Sequence, residues 1–181
     1  MKHLLLIRFS ALGDVAMLVP VVASLMKQYP DIHVTVLSKP FARSLFEGLS
    51  PNVSFMSADL KKDYQGLSGL NALYRRLAAK NFTAVADMHD VLRTKYLRFR
   101  FHLCGFHVAH IDKHRKGKQL LCSEKNKVKV QQPTSFENYA AVLAKLGYPV
   151  SLEFHSIFGE KGGNLRQLMP LIGEKKKFQR W

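Results

Sequence analysis

An α/β fold, with a parallel sheet covered by helices on both faces in a Rossmann-like layout, is predicted by three features of this 181-residue chain. Short apolar or alternating runs recur five times, and amphipathic stretches of helical length separate them. The first run, Leu4–Ile7, is apolar at every position, the mark of a strand buried on both faces. Hydrophobic residues make up 47% of the chain, enough for the core of one domain with part of a second.

The elements follow in order. After Leu4–Ile7, residues 14–28 place Val15, Leu18, Val19, Val22, Leu25 and Met26 at helical spacing. Pro20 interrupts that pattern and should kink the helix or delay its start. Pro30 closes it, and Ile32–Leu37 alternates as a second strand. A short helix over 41–47 leads to a third strand, Val53–Met56. A helix over 67–80 carries Leu70, Leu73, Leu77 and Ala78 on one side. Phe82–Met88 is the fourth strand, a helix spans 91–103, and Phe106–Ile111 is the fifth strand. Residues 113–129 are basic with few core positions and read as an extended loop or short helix. Residues 136–146 are amphipathic and stop at Gly147, a plausible glycine just past a helix end. Beyond Pro149 the pattern thins: 159–163 reads as a flexible turn and 165–172 as a last helix. The domain reading is one Rossmann-like domain over 1–150 and a linker over 151–181.

Lys and Arg outnumber Asp and Glu by 28 to 13, for a formal net charge of +15. Anionic partners follow: nucleic acid, lipid head groups or phosphorylated small molecules. Cys104 and Cys122 are far apart and outside any CxxC spacing, so two buried thiols in a reducing compartment are expected rather than a disulfide. The apolar run at 4–7 is too short for a secretory h-region or a membrane span, so a cytoplasmic location is expected.

In such sheets the ligand crevice lies outside the carboxyl ends of the strands, so residues just past each strand are the candidates. The first group is Arg8-Phe9-Ser10-Ala11-Leu12-Gly13-Asp14. It contains no GxGxxG dinucleotide fingerprint. On residue types alone, Ser10 or Asp14 reads as a helix cap. The functional reading places the Asp14 carboxylate in the crevice as a proton acceptor, with Arg8 and Ser10 holding an anionic group beside it. After the fourth strand, Asp87 and Asp90 flank His89, and Arg93, Lys95 and Arg98 follow on a helix. There the plain reading is a cap at Asp87 or Asp90 with a solvated basic face that includes Arg98. Lys61 and Lys62 after the third strand, and Arg115, Lys116 and Lys118 after the fifth, form a candidate anion-binding rim. His102, His107, His110 and His114 are interrupted by a strand and a turn, and no metal motif is read from them.

The stretch LLLIRFSALGDVAMLVPVVASL resembles the N-terminal signature of the bacterial lipopolysaccharide heptosyltransferases, glycosyltransferase family nine. The likeness continues at DMHDVLRTKYLR, where Asp87 and Arg93 match an Asp-x-x-x-x-x-Arg stretch, and at ENYAAVLAKLGYPV, which matches the helix closing the first domain. The resemblance implies the N-terminal half of a two-domain glycosyltransferase of the GT-B type, whose members are roughly twice this length. By that comparison the chain is the acceptor-binding domain plus a linker toward a missing donor-binding domain, and ends where that domain's first strand would start.

The resemblance implies transfer of heptose from ADP-heptose to the inner core of lipopolysaccharide, with inversion. The general base falls on Asp14; a carboxylate suits that role if desolvation raises its pKa, which Arg8 opposes. Arg8, Ser10, Gly13, Lys61, Lys62, His89, Arg93, Arg115 and Lys116 are the candidate acceptor contacts. Thr134-Ser135 stands where many relatives carry His, which bears on which core sugar is recognised. ADP-heptose is bound mainly by the missing domain, and no cofactor or metal is implied. The implied partners are the lipid A–core acceptor, the nucleotide-sugar donor and an anionic membrane surface on the inner face of the inner membrane, without nucleic acid. The isolated fragment would be inactive. The competing reading is a stand-alone basic Rossmann-like module that binds RNA or anionic membrane without catalysis; such a module gains nothing from a carboxylate in its crevice.

Overall fold

The structure, a computed structural model, describes residues 2–156 other than 125, 126 and 128. The strands are β1 (Lys2–Ile7), β2 (Ile32–Ser38), β3 (Val53–Ser57), β4 (Ala84–Asp87) and β5 (His107–His110). The helices are α1 (Leu12–Ala16), α2 (Leu18–Gln28), α3 (Gly66–Ala78), α4 (Leu92–Leu103), α5 (Arg115–Cys122) and α6 (Ser135–Lys145), with a 3-10 turn at Pro40–Leu45. All four strand pairings are parallel, in the order β3-β2-β1-β4-β5. The expected turn at 159–163, the last helix at 165–172 and most of the 151–181 linker lie outside the described residues.

β1 is central, and its alternation divides the core. Leu4 and Leu6 face α2 and α6, packing with Val22, Leu25, Val142 and Leu143. Leu5 and Ile7 face the other way, onto Leu73 and Leu77 of α3 and Leu97 and Phe101 of α4. All four β1 side chains have no solvent exposure. Each contributes roughly 1.5–3 kcal/mol by leaving water, which accounts for an apolar run without alternation.

The helix expected over 14–28 is two helices that meet at Met17. Pro20 explains the break: its ring crowds the carbonyl four residues back and it has no N–H to donate there. Restarting at Leu18 puts Pro20 in the first turn of α2, where no such bond is needed. α6 begins as a capping box: Glu137 N–H donates to Thr134 Oγ1 at 3.3 Å, and Thr134 N–H donates to Glu137 Oε2 at 2.6 Å. The Thr134 N–H and hydroxyl, both donating to Glu137 Oε2, hold that carboxyl below its usual pKa. The helix ends with Gly147 at φ +88°, as its position past the last apolar residue predicted.

Two expectations need correction. Cys104 and Cys122 are free and exposed rather than buried. Cys104 ends α4, where its Sγ accepts the Tyr74 hydroxyl at 2.9 Å, and Cys122 ends α5, which buries none of its residues. Neither Asp87 nor Asp90 caps α4; its N-cap is Val91, with Thr94 Oγ1 accepting the Val91 N–H at 3.0 Å.

Candidate active site

The strand order reverses at β1, so the crevice opens between the carboxyl ends of β1 and β4. Arg8 and Ser10 leave β1 at that point, and Asp87, Met88 and His89 leave β4 beside them. The Arg8 guanidinium is buried and is held from three directions. It donates to the Met88 carbonyl, pairs with Asp14 Oδ2 at 2.5 Å, and stands 5.6 Å over the Tyr139 ring. A cation this deep is tolerated only with such partners.

Asp14 sits in the first turn of α1, where its carboxylate supports the helix start and pairs with Arg8. Its Oδ2 accepts the Ala11 N–H at 3.3 Å, the acidic half of a capping box, and also takes Arg8. Among the described residues no hydrogen bond reaches Oδ1, and the side chain is 41% exposed, so one carboxylate oxygen is left without a protein partner there. Tyr139 of α6 donates its hydroxyl to the Asp14 backbone carbonyl at 3.0 Å, tying α6 to this turn. Burial pushes the Tyr139 phenol up to about 12, so it stays a donor at neutral pH. Gly13 lies within α1, and a Cβ there would meet nothing outside the helix's own backbone and its chain neighbours within 4 Å, so the turn is open beside it.

His89 faces this group from β4. Its Nε2 lies 3.3 Å from Ser10 Oγ, and its ring is 6.4 Å from Phe9. Burial first, then the Arg8 and Lys113 charges, lower its pKa to about 4. The imidazole is neutral at physiological pH, and its buried Nδ1 has no partner. In the unfolded chain the ring takes a proton below about pH 6.5. Folding stability is therefore full above that pH and falls as pH drops toward 4, by at most about 3 kcal/mol from this group. Urea unfolding of His89→Gln against the parent between those limits should show the flatter pH dependence in the variant; parallel curves would contradict the shift.

The loop carrying His89 is fixed by Asp87, which is fully buried. Its Oδ1 accepts the His89 and Asp90 N–H groups at 3.0 and 2.9 Å, and its Oδ2 pairs with Arg98 at 3.3 Å. Arg98 also reaches Asp90 Oδ1 at 3.2 Å, and Lys113 donates to the Asp90 carbonyl at 2.9 Å. Arg98 is thus an inward ion-pair partner and not part of a solvated face. Asp87 meets Arg98, eleven positions away, while Arg93, which the motif pairs with it, is exposed elsewhere.

The basic candidates do not form one rim. Arg115 and Lys116 line a cleft of about 660 Å³ with Lys95, Lys113 and Lys145, next to the carboxyl end of β5. Lys113, absent from the sequence-derived set, bridges that cleft and the crevice: it bonds to Asp90 and its charge acts on His89. Lys39 is a second such residue, since its charge acts on both His89 and Asp59. Its place directly after β2 was the available signal. Lys61 and Lys62 donate their backbone N–H groups to Asp59 Oδ1 at 2.9 and 3.1 Å, and their exposed side chains make no described contact with the crevice. Arg93 lines a different, apolar groove between α3 and α4. His114 contacts Asn138 at 2.9 Å through Nε2, and no group of three or more His, Cys, Asp or Glu suited to a metal occurs among the described residues. Thr134, at the position where the resemblance expects His, is the α6 N-cap.

No family model matches the chain. Lipopolysaccharide core heptosyltransferase OpsX of Haemophilus influenzae is 29% identical over 96 residues, covering 53% of this chain and 26% of that protein. Among solved structures, a glycosyl transferase family 9 protein from Veillonella parvula matches with a TM-score of 0.60 at 20% identity, over 96% of this chain and 51% of that one. The E. coli heptosyltransferase WaaC with ADP matches with a TM-score of 0.60 at 17% identity, over 86% and 51%. This chain spans about half the length of these solved relatives, and its match covers about a quarter of the curated one. The fold is therefore the Rossmann-like α/β fold found in GT-B glycosyltransferases, and the resemblance drawn from the N-terminal motif agrees with the curated relative.

Proposed function

We propose that the chain is the acceptor-binding, N-terminal part of an inverting heptosyltransferase that transfers heptose from ADP-heptose to the inner core of lipopolysaccharide. The observation that carries this reading is the carboxylate of Asp14, held by Arg8 at the β1–β4 switch point with one oxygen free. A polyanion-binding module has no use for a half-exposed acid at the centre of its crevice. The curated relative, a lipopolysaccharide core heptosyltransferase, supplies the donor and acceptor classes.

In this reading the acceptor hydroxyl lies against Asp14 Oδ1. The carboxylate takes its proton while the oxygen bonds to the anomeric carbon of heptose from the face opposite ADP, and the bond from that carbon to the diphosphate breaks. ADP leaves with the bonding pair, and the configuration inverts. Ser10 and neutral His89 supply hydrogen bonds to the acceptor sugar, and the open space beside Gly13 admits it. Lys113, Arg115 and Lys116 meet the acceptor's anionic groups. The donor is held mainly by a second domain, and no other cofactor enters. No helix among the described residues is long and apolar enough to cross a membrane. The reading places the enzyme in the bacterial cytoplasm, at the inner face of the inner membrane where its lipid-linked acceptor lies.

The test is ADP release by the full-length protein given ADP-heptose and heptose-deficient core oligosaccharide, with the product mass read in parallel. A mass increase of one heptose with stoichiometric ADP is expected. Absence of transfer together with tight binding of RNA would overturn this reading in favour of the non-catalytic module.

A further inference from the structure

The outer side of α4 carries an apolar strip. Leu92, Tyr96, Phe99 and Leu103 recur at steps of four, three and four, so they share one side of the helix. Thr94, Leu97 and Phe101 take the buried side. Leu92 is 85% exposed, Leu103 64% and Phe99 57%, so most of each side chain's apolar surface stays in water. Leu67, at the start of α3 and 70% exposed, stands across a groove of about 480 Å³ from Leu92, Tyr96 and Phe99. Isolated exposed leucines need no explanation, but a continuous strip facing a matching leucine marks a contact surface.

The charged side chains that line the groove, Arg93 and Lys95, are cationic. α4 itself contains no acid; Arg98 turns inward to Asp87 and Asp90, and Lys95 stands 3.7 Å from Asp90 Oδ1 at the groove's edge. Lys61 and Lys62 lie just ahead of α3 and are exposed. An apolar centre with a cationic border matches an anionic bilayer surface, where acyl chains receive the apolar side chains and lipid phosphates the cations. A second copy of the chain would bring like charge against this border. The chain's own residues 173–181 are strongly basic and would be repelled in the same way. Lys95 lines both this groove and the basic cleft at Arg115 and Lys116, so the strip adjoins the candidate acceptor site.

We propose that the α3–α4 face docks on an anionic bilayer, with Leu67, Leu92 and Phe99 at headgroup depth and Arg93 and Lys95 against lipid phosphates. This rests on the reading that the acceptor is lipid-linked, and it adds which face of the domain meets the membrane. The docked face holds the crevice beside the bilayer, so that the acceptor's sugars reach Asp14 while its lipid stays inserted.

The test is sedimentation of the full-length protein with vesicles of phosphatidylethanolamine and phosphatidylglycerol, against vesicles of phosphatidylcholine alone. Binding to the anionic vesicles is expected, and Leu92→Ser with Phe99→Ser should weaken it by about tenfold or more. Transfer to a lipid-free oligosaccharide acceptor should be unchanged in that variant, because both side chains lie outside the core. No binding by the parent protein, equal binding to neutral vesicles, or undiminished binding by the variant would each overturn the proposal. So would a dimer dissolved by the two substitutions, which would make the strip a contact between copies. Failure of the transferase reading appears separately, as no transfer to the lipid-free acceptor whatever the vesicles show.

Discussion

Asp14→Asn in the full-length protein should lower kcat for heptose transfer by about two to four orders of magnitude, the usual contribution of a positioned general base. Asn is the informative replacement. It keeps an oxygen for the Ala11 N–H and for Arg8, so the turn and the buried guanidinium retain partners. A loss of stability of about 1 kcal/mol is expected, as for a charge-assisted bond made neutral. The two roles of Asp14 therefore separate in one variant: a capping residue would cost stability and leave turnover intact, whereas a base costs turnover and leaves the fold. KM for the acceptor should change little, because the lost step is proton removal rather than binding. Near-normal kcat in Asp14→Asn would end the assignment of Asp14 as the base.

Arg98→Met should produce the largest loss of stability, about 3 kcal/mol in urea unfolding. Asp87 is fully buried, and without Arg98 its carboxylate keeps only the two N–H groups of His89 and Asp90. An uncompensated charge at that depth is costly, whereas a truly solvated arginine on α4 would change stability by less than about 0.5 kcal/mol. The pairing of the two side chains is checked by Asp87→Asn combined with Arg98→Met. Asn still accepts the loop N–H groups but carries no charge, so the double variant should be more stable than Arg98→Met alone. A double variant no better than the single one would show that Arg98 acts through packing instead. Because Asp87 orients the His89 loop, Arg98→Met should also slow transfer, with the acceptor KM raised.

The strands and the end of α6 were legible because they depend on local chemistry. Leu4–Ile7 read as a strand enclosed on both sides, Gly147 as a helix terminator, and Asp14 was marked by its isolation between a strand and a helix. The crevice was legible in outline through the rule that sites lie beyond the carboxyl ends of strands. Partner choice was not. Arg93 has the motif spacing, yet Arg98 holds Asp87, since the geometry of α4 and not its sequence interval aims a side chain back at the β4 loop. Lys61 and Lys62 carry the charge of a phosphate site but stand apart from the crevice, while Lys113 and Lys39, less conspicuous in the sequence, act on it. The cysteines misled for a similar reason: small thiols are commonly buried, but both fall at helix ends that face water.

By itself the sequence determined the α/β class, the order of its elements and the presence of a lone carboxylate at the first turn, because apolar period and turn chemistry act over a few residues. The tertiary structure decided which charges meet. It seated Arg8 between Asp14, Met88 and Tyr139, placed neutral His89 against Ser10 across some eighty residues of chain, and left the Leu92–Leu103 strip uncovered. Electrostatic and packing energies depend on distance and burial in space, and the β3-β2-β1-β4-β5 order that sets those distances is a property of the whole sheet.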